Sequence, residues 1–149
     1  MEIAVLALGC FWGPEIKFSK IEGIIRTEVG YCGGNNSQTT YEEVCTGTTN
    51  HAEVVKLEFD KNLISYEKIL ELFFENHDPT TLNLQGPDRG TQYRSEIFYL
   101  DEEQKKIAEE IKYKINKKLN GKVVTKISVV KNYCKAEEYH QKYFEKKNF

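Results

Sequence analysis

Cys10 stands in Gly9-Cys10-Phe11-Trp12-Gly13-Pro14, directly after the apolar run Ile3-Ala4-Val5-Leu6-Ala7-Leu8, which sets a thiol and two large aromatics at a strand-to-helix junction. A helix N-terminus offers unpaired backbone N–H groups and partial positive charge, and both favour thiolate over thiol. The placement therefore predicts a nucleophilic Cys10 with a pKa below the free value of about 8.5. Pro14 is expected at the first helical position, where its missing N–H costs nothing. Gly9 and Gly13 leave the backbone beside the sulfur open to a ligand. An arbitrary cysteine is as often a small buried hydrophobe; the flanking glycines and proline favour the reactive reading.

A second group complements the thiol. Residues 51–60 read as a strand in which Glu53 shares parity with Val55, Leu57 and Phe59, while Lys56 and Glu58 alternate onto the other face with Val54. An acid on the apolar face is desolvated, which raises its pKa and keeps it protonated near neutral pH, so that it can donate a proton. An ordinary acid at a frayed strand end is the alternative. His51 could act as a base toward Cys10 in a cysteine hydrolase, or serve as a structural hydrogen bonder. Tyr41 and Tyr93 flank polar loops and could present hydroxyls, although most of the nine tyrosines must be packing. Asp88, between Pro87 and Arg89, suits a turn. Phe11 and Trp12 could wall a small apolar pocket beside the sulfur.

These groups must be held by a scaffold of 149 residues, the size of one domain spanning residues 1–149 and burying about 70% of its unfolded surface without covalent staples. The four cysteines, Cys10, Cys32, Cys45 and Cys134, form no C-x-x-C pair or regular framework, which argues against a zinc ribbon or a secreted disulfide scaffold. No metal ligand set is expected. The amino terminus lacks a basic leader, and no apolar stretch approaches the roughly 20 residues of a membrane span. A cytoplasmic protein with no membrane partner is expected. A net charge of −2, with both signs interspersed, argues against nucleic acid as a partner.

Residues 3–8 read as a central strand, 14–22 as a short helix, and Ile25, Thr27 and Val29 as a second strand that stops at Gly30. Long polar loops are expected at 31–50 and 78–93. Ser65 should cap a helix carrying Ile69, Leu70 and Phe73, and residues 96–100 read as a strand. Asp101 and Gln104 open a helix with Ile107, Ile111, Ile115 and Leu119 every fourth residue, with Gly121 expected at its C′ position. Val123 to Val129 alternate as a last strand, and 136–146 reads as a closing helix. The order suits an α+β ferredoxin-like plait, a mixed sheet covered by helices, with long active-site loops. A doubly wound parallel sheet is the alternative.

GCFWG at 9–13, GYCGG at 30–34, TYEEVCTG at 40–47, NHAEVV at 50–55, ENHDPT at 75–80, GTQYRSEIF at 90–98 and AEEYHQKY at 136–143 together resemble, in order, the A-type peptide methionine sulfoxide reductases. The resemblance covers the chain nearly end to end. It implies reduction of the S epimer of methionine sulfoxide, free or in oxidised proteins, through attack of Cys10 on the sulfoxide sulfur. By motif position Glu53 would protonate the oxygen, Tyr41 and Tyr93 would hydrogen-bond it, and Asp88 would help hold a water and the substrate. Phe11 and Trp12 would receive the ε-methyl group. The sulfenic acid left on Cys10 would be resolved by a second cysteine and the disulfide reduced by thioredoxin or another thiol such as dithiothreitol, with no other cofactor. Cys134, where relatives usually carry an aromatic, is the candidate resolver; Cys45 and Cys32 are the alternatives. Two other classes remain open: a cysteine hydrolase using Cys10 and His51, and a methionine-binding module without catalysis.

Overall fold

In the computed structural model, which describes residues 1–147, the apolar run forms the central strand β1 (Glu2–Leu8). It is followed by α1 (Trp12–Ser19), β2 (Ile24–Cys32), α2 (Tyr41–Cys45), β3 (Ala52–Phe59) and α3 (Tyr66–Glu75). A small hairpin, β4 (Leu84–Gln85) and β5 (Asp88–Arg89), precedes β6 (Ser95–Tyr99), α4 (Glu102–Lys118), β7 (Lys126–Val129), β8 (Cys134–Lys135) and α5 (Tyr143–Lys146). The main sheet runs β7-β6-β1-β3-β2-β8. Strand β1 is antiparallel to both β3 and β6, and β2 is antiparallel to β3. That β6-β1-β3-β2 core with helical crossovers is the ferredoxin-like plait, extended by a parallel β7 at one edge and a short β8 at the other. Antiparallel neighbours throughout the core exclude a doubly wound sheet.

Alternation sorts the faces. Leu6, Val55, Leu57, Phe59 and Ile97 pack under Phe18 of α1, Ile69, Leu70 and Phe73 of α3 and Ala108 and Ile111 of α4. Val5, Ala7, Val54 and Phe98 take the opposite face, against Val130 and Tyr133. Local signals hold at helix starts: the Ser65 hydroxyl accepts from Lys68 N–H at 3.0 Å, and Asp101 Oδ1 accepts from Gln104 N–H at 2.8 Å.

Several expectations need correction, each for a non-local reason. Helix α1 starts at Trp12, so Pro14 occupies the third helical position, still within the turn whose N–H groups lack intrahelical partners. A register shift between Ile24 and Arg26 turns Ile25 outward to 52% exposure, off the buried face that Thr27 and Val29 keep. Loop 31–50 contains the end of β2 and all of α2, and loop 78–93 contains the β4–β5 hairpin and a 3₁₀ turn at Thr91–Tyr93. At the end of α4, Asn120 takes the left-handed C′ position and Gly121 the next, with Gly121 N–H reaching Asn116 C=O at 2.8 Å.

The expected closing helix is broken into a 3₁₀ turn at Glu138–His140 and the four-residue α5. Gln141 uses its amide as a surrogate strand, accepting from Val29 N–H and donating to Val29 C=O, both at 2.9 Å. Lys142, left-handed at φ 51°, donates its N–H to the buried Glu15 carboxylate at 2.6 Å. These bonds to distant parts of the chain replace the helical ladder.

Candidate active site

Strand β1 delivers Cys10 through Gly9, whose φ of +96° is strained for any side chain. A Cβ there would also lie 2.9 Å from Gln85 Cγ, so glycine lets the β4–β5 hairpin pack against the residue before Cys10, close enough for the charge of Asp88 to act on the thiol. Trp12 N–H donates to the Cys10 sulfur, and the first helical bond of α1 runs from Glu15 N–H to Phe11 C=O at 3.1 Å. The helix mouth is therefore present. The thiol pKa is nonetheless pushed up to about 11, first by burial and then by the charges of Glu53 and Asp88, against the single Trp12 donor. This overturns the expected depression: desolvation outweighs the dipole. In the substrate-free enzyme, alkylation of Cys10 by iodoacetamide should show a rate midpoint well above about 8.5; a midpoint at or below that value would sink the burial argument.

Glu53 follows the first residue of β3 and lies opposite Tyr31 of β2. Its side chain is on the face of Val55 and Leu57, as alternation requires, and is 1% exposed. Oε1 accepts from Phe11 N–H at 3.2 Å, while Oε2 is buried with no protein partner. Burial, with the Asp88 charge added, pushes its pKa up to about 8. At neutral pH Glu53 is a carboxylic acid with a proton to give, beside the thiol whose charge it senses.

Two phenols stand over the same space. Tyr41 opens α2, which Thr40 caps by accepting from Glu43 N–H at 3.2 Å. The Tyr41 hydroxyl is within hydrogen-bond reach of the Tyr93 hydroxyl and the Cys45 thiol. Burial raises the pKa of Tyr93 to about 12 and that of Tyr41 further, so both remain protonated donors. Tyr93 is placed by a buried Arg94, absent from the sequence reading. Its guanidinium binds Glu96 at 2.7 Å, Thr91 C=O at 2.9 Å and Asn50 C=O at 3.0 Å, tying the Tyr93 turn to the start of β3.

Phe11 is buried against Tyr31, and Trp12 stacks on Tyr143 with centroids 3.8 Å apart and planes 9° from parallel. Sequence reasoning also missed Glu137 and His140. Glu137 accepts from the Tyr31 hydroxyl at 2.7 Å and from Tyr41 N–H at 2.8 Å, and His140 accepts from the Trp12 indole at 3.1 Å. Their only sequence signal was AEEYHQKY itself.

The structure does not bring His51 to Cys10. Its ring lies where a Gly34 Cβ would be, and Nε2 meets Asn36 C=O at 2.9 Å, so His51 organises the loop after β2. Cys32 is buried with Val5 and Ala7 on the opposite face. Cys134 pairs with Tyr31 through β8, and its thiol lies 3.7 Å from Thr39 C=O. Among the described residues, no group of three or more His, Cys, Asp and Glu side chains could hold a metal ion.

A thiol near a buried, protonated carboxyl and two protonated phenols, on a ferredoxin-like plait, is the combination that the fold assembles at the end of β1. The chain belongs to the peptide methionine sulfoxide reductase family, which matches residues 2–149. It is 73% identical to the peptide methionine sulfoxide reductase MsrA of Pelagibacter ubique over 147 residues, covering 99% of this chain and 100% of that protein. It is similar to the crystal structure of reduced Mxr1 from Saccharomyces cerevisiae at a TM-score of 0.94 and 39% identity, over 99% of this chain and 86% of that one. Mxr1 in complex with Trx2 matches at a TM-score of 0.68 and 27% identity, over 95% and 84% of the two chains.

Proposed function

We propose that this methionine sulfoxide reductase works by attack of Cys10 on the sulfoxide sulfur while Glu53 hands its proton to the sulfoxide oxygen. The observation that carries this reading is the buried Glu53 carboxyl, one oxygen held by Phe11 N–H and the other unpartnered beside the thiol. Attack builds negative charge on the oxygen, and the Tyr41 and Tyr93 hydroxyls stabilise it. Asp88 helps hold the substrate and a water, and Phe11 and Trp12 receive the methyl group. Burying one methyl is worth only about 0.8 kcal/mol, so the hydrogen-bond donors must reject reduced methionine, which lacks their acceptor.

The oxygen leaves with Cys10: sulfoxide and thiol become methionine and a Cys10 sulfenic acid. The Cys134 thiol then attacks that sulfur, forming a disulfide and releasing water. Cys134, Tyr31 and Glu53 lie in one cross-strand row, so the three share a face of the sheet. Two strand spacings put the Cα atoms of Cys134 and Glu53 about 10 Å apart. A disulfide with Cys10 needs its Cα to come within about 7 Å of that of Cys134.

Thioredoxin or a small dithiol then reduces the disulfide, as the complex of Mxr1 with Trx2 suggests. The four free cysteines suit a reducing cytoplasm, and no described helix is long and apolar enough to cross a membrane. One equivalent of methionine sulfoxide, added without reductant, should consume two thiols and yield a Cys10–Cys134 linkage on peptide mapping by mass spectrometry. A dimedone-trapped Cys10 with Cys134 still free would refute the internal resolver; a Cys45 or Cys32 partner would refute the assignment and leave the two-thiol scheme.

A further inference from the structure

We propose that His140 is a positioning residue whose Nδ1 holds the Trp12 indole in the orientation that walls the methyl pocket. The proposal rests on the reading of Trp12 as that wall. Tyr143 stacks on Trp12 at 3.8 Å and fixes the plane of the indole, but a stacked pair can still slide and turn within that plane. The indole N–H bond to His140 Nδ1, at 3.1 Å across 128 residues of chain, removes that freedom. His140 is itself 1% exposed and packed against Phe11, Tyr41 and Tyr139 with centroids 5.3, 4.6 and 4.2 Å away. Indole is a donor only, so Nδ1 must accept and the ring must be the neutral Nε2–H tautomer. Burial, which disfavours the imidazolium, works in the same direction.

The chain has one tryptophan, so its indole resonance and its fluorescence report on Trp12 alone. In the unmodified protein, nitrogen-15 NMR should show His140 as the Nε2–H tautomer and the indole proton protected from exchange; an Nδ1–H tautomer or a freely exchanging indole would overturn the proposal without any variant. His140→Phe should raise KM for methionine sulfoxide about fivefold, the factor expected for one lost neutral hydrogen bond, with kcat little changed and Trp12 emission shifted. His140→Gln, which supplies an acceptor, should restore both. A folded His140→Phe protein with parental KM or parental emission refutes the positioning role. Trp12→Phe tests the underlying assignment separately: if its KM is parental, Trp12 does not wall the pocket and the reading beneath the proposal falls.

Discussion

Cys10→Ser brings methionine release from methionine sulfoxide down to the rate of dithiothreitol alone, a loss of about 10⁴-fold or more. The reaction moves an oxygen atom from the substrate onto the nucleophile, and sulfur accepts it as a sulfenic acid. A serine oxygen has no comparable oxidised state, and its hydroxyl is far harder to ionise than a thiol already held near a pKa of about 11. Serine nearly preserves the size and shape of the cysteine side chain, so calorimetric affinity for the substrate should stay within a few fold. Methionine release is followed chromatographically. Turnover above the dithiothreitol background would exclude Cys10 as the oxygen acceptor, whereas full activity in the parent without any thiol would point to a different chemistry altogether.

Glu53→Gln should slow the first turnover by about 10²- to 10⁴-fold, the span for loss of a positioned general acid, while substrate affinity changes little. The amide keeps the volume and can still meet Phe11 N–H, but it has no proton of suitable acidity. In the parent, kcat/KM should rise with pH up to about 8 and then level off, because from there to about 11 the loss of the Glu53 proton offsets the gain in Cys10 thiolate; the variant, with no acid to ionise, should keep rising past about 8 toward about 11. Loss of the Glu53 proton also places a second charge near the Cys10 sulfur, so the thiolate is easiest to form while Glu53 remains neutral.

The same carboxyl has a stability signature. Its pKa is raised from 4.5 to about 8 by folding, so between those values the native state retains a proton that the unfolded chain has released. Its favourable contribution is complete below pH 4.5 and is lost as pH rises through 8. Glu53→Gln should therefore gain stability relative to the parent across that window, by up to about 1.4 kcal/mol per pH unit, measured by urea unfolding at several pH values. A first-turnover rate equal to the parent's would end the general-acid assignment, and a stability difference independent of pH would show that Glu53 is not protonated.

What the chain alone determined were features carried by near neighbours. The period of β3 put Glu53 with Val55 and Leu57 because alternation is a property of extended backbone, whatever packs on it. Ser65 and Asp101 marked helix starts because a cap needs only an amide a few residues on. The motif segments identified the family for a similar reason: each is a short run whose residues act near one another. What only the tertiary structure decided depends on groups far apart in the chain. The helix mouth at Cys10 was legible, but its pKa follows from burial and from the charges of Glu53 and Asp88, and no local dipole argument contains those terms. Residues 136–146 have the pattern of a helix, yet Val29 and Glu15 capture Gln141 and Lys142 and break it. His140 and Glu137 likewise find Trp12 and Tyr41 across the fold. Periodicity and capping are short-range and are written into consecutive residues; desolvation and long-range hydrogen bonds exist only once the chain has folded.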